Sequence, residues 1–381
     1  MIPEKRHDQI PALDGLRALA ITMVIASHSR NDFVFAGGLE SPHALFSCID
    51  VLWTGVDLFF VLSGFLIGRI LFQEVKRTGS VDVSSFLLKR GFRIWPLYYF
   101  VCTVTLLKLA LTHALPSLNH VLPDYLFVTN YFDETLAFGS WSLSVEEQFY
   151  ILISVILFLS SFWLIHSGKK IVTTLAGILV LAPMIRFLTW NHYLARGMSA
   201  FDAEWSVLHN FITTHYDGLA VGLLFASIQV FMPAAQTLKK SIAPVFAVLS
   251  ISLIGLTAWF PQIFGYSLAA AIFGLAVWVA ITKPESFFAR AFSWSPLQII
   301  SRLSYGMYLW YRFPLWRIAH FTLKTFPNAS PLLQYGLIFT MAFLAAVLVS
   351  SVTYRLIERP FLELRSRIYR QKERVAYASA G

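Results

Sequence analysis

The sequence predicts an all-α, polytopic integral membrane protein of about ten transmembrane helices, with both termini cytoplasmic. Three observations predict it. Hydrophobic residues make up 57% of the 381 residues and charged ones only 13%, and mean hydropathy is +0.63, a balance too apolar for a soluble domain. Ten segments are apolar and long enough to cross a bilayer. The Lys and Arg residues collect in alternate connections, as the positive-inside rule requires.

The first span, near 11–29, is the run PALDGLRALAITMVIASHS, and it carries Arg17 and His28. The preceding MIPEKRH imitates a secretory leader, but cleavage would discard the Arg17/His28 face, so the first helix is expected to stay. The second span, near 51–71, opens with Asp57 in GVDLFFVLSGFLIG; the third, near 94–113, follows the basic run KRGFR; the fourth, near 144–165, follows SWSLS. Long, largely apolar runs give 171–190, 242–260, 263–282 and 332–356, while 210–231 opens with His215 and Asp217 and 297–316 contains Pro314. Lys5, Arg6, the cluster from Arg69 to Arg93, later pairs such as Lys169–Lys170 and Lys239–Lys240, and the tail from Arg355 to Arg374 fall on one side, leaving Arg30, Arg196, Arg317 and Lys324 opposite. The membrane domain is expected to occupy 1–365, with a basic cytoplasmic tail over 366–381. The net charge of +9 is therefore read as topology, and no nucleic-acid partner is expected. Cys48 and Cys102 offer no spacing for a disulfide framework or a zinc site.

Eleven residues at about 100° each return within about 20° of the same face, so Arg17 and His28 point one way, roughly 16 Å apart along the axis. Ionisable residues in a spanning helix are costly and mark function by default. Asp14, three residues before Arg17, shares the face. An imidazole with an ordinary pKa near 6.5 suits general-base work when a carboxylate orients it. Three spans aim acids at the expected depth of His28: Asp57, the pair Glu146 and Glu147, and Asp217. Glu147 has a competing role, because Ser144-Val-Glu-Glu147 has the spacing of a capping box; Glu146 is the better partner for the imidazole. At the other side, Lys89-Arg90-x-x-Arg93 places Arg90 and Arg93 on one face where the third span begins, suited to an anion with several phosphates. A metal site from His28, His215, Asp217 and Glu146 is disfavoured, since no His or Cys pair has ligand spacing.

Taken together, Arg17-x10-His28, GVDLFFVLSGFLIG at 55–68, LLKRGFRIWPLYY, SWSLSVEEQFY at 140–150, SYGMYLW at 304–310 and IERPFL at 357–362 resemble the membrane-bound acyltransferase 3 family. The resemblance implies a ten-helix domain of a bacterial cytoplasmic (inner) membrane, multi-pass, that transfers an acyl group, usually acetyl, from cytoplasmic acyl-CoA to a hydroxyl on the extracytoplasmic face. It implies a glycan or lipid-linked glycan acceptor, acetyl-CoA as donor with no permanently bound cofactor, and membrane lipid around the protein. By the same resemblance His28 is the catalytic histidine, and Glu146 or Asp57 is the acid that the chemistry of a general base calls for to orient it. Arg17, Arg90, Arg93 and Lys89 belong to the donor side, and Glu147, His215, Asp217 and Tyr311 to the acceptor side. Direct transfer and transfer through an acetyl-His28 intermediate both fit. Two departures bear on the acceptor: Tyr311-Arg312 stands where many members have a His after the Trp, and His215-Tyr216-Asp217 stands where Arg-x-Asp is common. A glycan-precursor transporter or flippase, and acylation of a small molecule such as a macrolide, are the alternatives; the former is weakened because no matched pair of Gly/Pro-broken segments appears in two halves.

Overall fold

A computed structural model describes residues 10–38, 49–114, 116–132, 135–160, 168–232 and 261–380, with side chains to 369. Among the described residues the chain is helical and contains no strand. Twelve helices position the site: α1 (Pro11–Phe35), α2 (Gly55–Thr78), α3 (Val83–Leu111), the short α4 (Leu118–Tyr125), α5 (Ser140–Ser160), α6 (Gly168–Ala195), α7 (Asp217–Phe231), α8 (Pro261–Thr282), α9 (Ser295–Trp310), α10 (Arg312–Thr325), α11 (Pro331–Thr353) and α12 (Arg359–Ala380). Among the described residues six candidate spans are long and apolar enough to cross a membrane: Val51–Thr78, Val83–Leu111, Ser140–Ser160, Gly168–Ala195, Pro261–Thr282 and Pro331–Tyr369. The protein is a multi-pass membrane protein. α1 has the length but carries Asp14, Arg17, Arg30 and Asp32 and is not among the six. The expected span at 242–260 lies outside the described residues.

Two boundaries move in a way that matters. α3 begins at Val83, not near 94, because Asp82 caps it, its Oδ1 accepting from Ser85 N–H at 2.9 Å. Arg90 and Arg93 therefore lie two to three turns inside the helix, where their own N–H groups are spent on intrahelical bonds, and no helix N-terminus adds to their charge. Likewise α5 begins at Ser140, so Ser144 is no cap; its hydroxyl accepts from Thr129 N–H at 3.2 Å and shares a hydrogen bond with Thr129 Oγ1 at 2.7 Å.

The chain divides into two compact units. The first comprises Met1–Arg30, Ser41–Arg77 and Phe162–Ser304. Within it α2 and α7 cross closely. Gly64 and Gly68 of α2, and Gly218 and Gly222 of α7, are two small-xxx-small pairs. A methyl on Gly64 would sit 2.2 Å from the Leu219 carbonyl oxygen, and one on Gly222 would sit 2.3 Å from the Val61 carbonyl oxygen, so the two backbones touch only because these side chains are missing. At the far end Lys76 Nζ donates to the Val230 carbonyl at 3.0 Å, meeting an orphan acceptor in the last turn of α7.

The second unit comprises Asn31–Glu40, Thr78–Ser161 and Tyr305–Gly381. Its loop before α5 is pinned by buried Asp124, whose carboxylate accepts from Leu136 N–H at 2.8 Å, Ala137 N–H at 3.2 Å and the Tyr98 hydroxyl at 3.1 Å. Burial raises the pKa of Asp124 while these donors act to lower it. This acid is a strut of the loop. α12 continues past residue 366, and Tyr369 docks on the start of α3, its hydroxyl donating to the Ser85 carbonyl at 3.3 Å and its ring lying 4.5 Å from Lys89 Nζ.

Candidate functional site

Most of α1 is buried, and Asp14, Arg17 and His28 lie on one face of it, each half-buried. The eleven-residue spacing thus corresponds to a half-buried polar stripe on a mostly buried helix. Arg17 Nη1 donates to Asp14 Oδ1 at 3.1 Å, and the Ser301 hydroxyl of α9 donates to the same oxygen at 3.4 Å. His28 Nδ1 lies 2.9 Å from the Val24 carbonyl oxygen one turn back. A carbonyl can only accept, so Nδ1 carries the proton and Nε2 the lone pair. The backbone of α1 itself sets this tautomer.

Asp57 engages a different imidazole. It lies on the stripe of α2 that carries Gly64 and Gly68, seven and eleven residues on, while His215 lies three residues before Gly218. The close crossing of α2 and α7 hands one to the other: His215 Nε2 is 2.8 Å from Asp57 Oδ1, and both side chains are fully buried. His215 Nδ1 is 2.7 Å from the His209 carbonyl oxygen, so it too must be protonated. One further proton then lies between His215 Nε2 and Asp57, and the pair is neutral overall whichever partner holds it. Asp57 Oδ2 is buried with no hydrogen-bond partner. The rings of His215 and His209 are 5.2 Å apart. His209 is held well below the ordinary histidine range, first by burial, then by electrostatic interaction with the neighbouring His215 and His28, which disfavours a further positive charge. His28, His209, His215 and Asp57 thus form one electrostatically connected group.

Asp217, one residue into α7, is gripped by Arg186 of α6, a residue the motifs did not single out. Arg186 Nη1 and Nη2 donate to the two carboxylate oxygens at 2.5 and 3.1 Å. The remaining guanidinium donors reach the Ile263 carbonyl at 2.6 Å, the Thr214 carbonyl at 3.0 Å and the Ser267 hydroxyl at 2.5 Å. A single Arg within the apolar run 171–190 was itself a signal of such a partner.

In the second unit Arg90 is half-buried, while Lys89 and Arg93 are exposed. Glu147 of α5 is buried, within electrostatic reach of Arg90 and of the Trp95 indole, and its Oε1 has no hydrogen-bond partner. Arg93 has a different acid in electrostatic reach, Glu358, at the end of a π-helical turn over Tyr354–Glu358. Glu146 accepts from the Tyr150 hydroxyl at 2.8 Å. Tyr311 is buried, and the neighbouring Arg312 donates to Asp32 at the end of α1 while lying 4.3 Å from the Phe138 ring centre. Among the described residues no group of three or more His, Cys, Asp or Glu could hold a metal ion.

Comparison with known proteins follows the same lines. A family model described as acyltransferase domain matches residues 10–355. The peptidoglycan O-acetyltransferase OatA of Listeria monocytogenes is 26% identical over 92% of this chain and 55% of its own length. The O-acetyltransferase OatA of Staphylococcus aureus is 27% identical over 92% of this chain and 57% of its own. The chain therefore spans little more than half the length of these relatives. No solved structure matches it. With its whole apolar body and its Arg17/His28 helix inside the matched region, the chain belongs to the acyltransferase 3 family.

Proposed function

We propose that this protein transfers an acetyl group from cytoplasmic acyl-CoA to a hydroxyl of an extracytoplasmic glycan, with His28 as general base. The observation that carries the reading is the Nδ1–H bond of His28 to the Val24 carbonyl, which makes Nε2 the basic nitrogen. Nε2 takes the proton of the attacking hydroxyl as its oxygen bonds the thioester carbonyl carbon. The tetrahedral adduct collapses, the C–S bond breaks, and the imidazolium returns the proton to the leaving CoA thiolate. Arg90 and Arg93 bind the phosphates of the donor. Family membership supports the reaction class, and the relatives, a peptidoglycan O-acetyltransferase among them, support the acceptor class. The topology that goes with it has ten spans, both termini in the cytoplasm and a bacterial inner membrane as the site.

The test is acetyl transfer from labelled acetyl-CoA to envelope glycan in cells carrying the wild type or His28→Ala. The variant is expected to reach normal membrane levels with transfer lowered by about 10²–10⁴-fold, the usual contribution of a general base. Normal levels with undiminished transfer would remove His28 from the reaction.

A further inference from the structure

The sequence between α6 and α7 makes a turn that an ordinary helix would not make. After Ala200–Asp202, residues Ala203–Leu208 form a π-helical turn, and His209 N–H donates to the Glu204 carbonyl five residues back, at 2.9 Å. Such widened turns are uncommon and cluster at functional sites. This one sets Trp205 beside His209, with ring centres 5.0 Å apart. Trp53, just before α2, closes the group: its ring lies 6.1 Å from Trp205, 5.7 Å from His209 and 5.4 Å from Tyr266, each edge to face. Trp205 remains 37% exposed although three of its neighbours are aromatic or imidazole rings.

Glu204 adjoins this aromatic group. Its carboxylate acts electrostatically on Tyr266 and has no hydrogen bond or ion pair among the described residues. It is half-buried, and burial raises its pKa with no cation offsetting the shift. Keeping an acid there without a partner costs stability. Interfacial tryptophans that merely anchor a protein turn their rings to lipid; here Trp53 turns its ring to Trp205, His209 and Tyr266, and His209 in turn feels His28.

We infer that Trp205 and Trp53 with Glu204 form the subsite that holds a pyranose ring of the acceptor glycan against the His28 side of the site, the indole of Trp205 covering the C–H face of the sugar and the Glu204 carboxylate accepting from its hydroxyls. A sugar ring presents both an apolar face and a rim of donors, and an exposed indole next to an unpartnered carboxylate complements both. The inference rests on the proposed function, since it assigns the binding of that reaction's acceptor.

The experiment uses the full chain in detergent or nanodiscs, labelled acetyl-CoA, and as acceptor the alkali-deacetylated glycan fraction of the host envelope, titrated. Wild type is measured first; if it moves no label to this glycan, the proposed function fails, independently of any variant. With wild-type transfer in hand, Trp205→Ala is expected to raise the half-saturating glycan concentration about tenfold, the size of one lost aromatic contact. Trp205→Phe keeps a stacking face and is expected to stay within about threefold of wild type. Glu204→Gln is expected to weaken glycan saturation several-fold. The half-saturating acetyl-CoA concentration stays unchanged in all three. Glycan saturation unaltered in both Trp205→Ala and Glu204→Gln, or a fall in maximum rate alone, overturns the assignment.

Discussion

The Arg186–Asp217 clamp and the group running from His28 through His209 and His215 to Asp57 lie in the same unit and meet in sequence at residues 214–217, yet their polar atoms are treated in opposite ways. Arg186 has five N–H donors and the structure supplies five acceptors, two of them the oxygens of Asp217. In the histidine group a proton is shared between His215 and Asp57, and one Asp57 oxygen is buried without a partner. A saturated buried ion pair has one geometry and one charge state, and it serves as scaffold. An unsaturated one keeps more than one protonation state within reach, which is what proton transfer needs.

That contrast can be broken by experiment. Removing the scaffold has the largest effect: Arg186→Ala strands the Asp217 carboxylate in the interior, at a cost of about 3–5 kcal/mol, and little folded protein is expected in the membrane fraction. Arg186→Ala that accumulates and melts like wild type would show the clamp to be dispensable. A smaller loss is expected from Gly64→Ala, which must push Leu219 and α7 away from α2 at roughly 1–3 kcal/mol. Here the thermal midpoint drops and transfer drops further than the yield does, because Asp57 is carried away from His215; loss of yield alone would detach the pair from function. The smallest effect concerns pH. His209 has a folded pKa below its unfolded value, so its neutral form stabilises the fold above pH about 6.5 and that contribution is lost as pH falls. His209→Gln is expected to lose less thermal stability than wild type between pH 7.5 and 5.5, and identical slopes would rule out His209 as an acid-sensitive group.

What the sequence made legible was local. Arg17 and His28 share a stripe because eleven residues is close to a whole number of helical turns, and α1 runs unbroken through both. Spacing says nothing of Asp57 and His215, which are 158 residues apart and meet only because glycines let two helices touch. The motif reading placed Glu146 and Glu147 together as acids at one depth, whereas side-chain direction along α5 gives them different neighbours, Tyr150 for one and the Arg90 and Trp95 surroundings for the other. The start of α3 was hidden because residues 83–93 are amphipathic and read as a basic connection. Arg186 was visible but stood in no motif.

The π-helical turn at Ala203–Leu208 has a consequence in evolutionary terms. Such a turn is an α-helical turn with one residue inserted, so deleting one codon there restores ordinary winding and swings every preceding side chain by about 100° relative to those that follow. Trp205 and Glu204 would then be re-aimed with no side chain substituted. Acceptor range in related chains can therefore diverge by the gain or loss of a single residue.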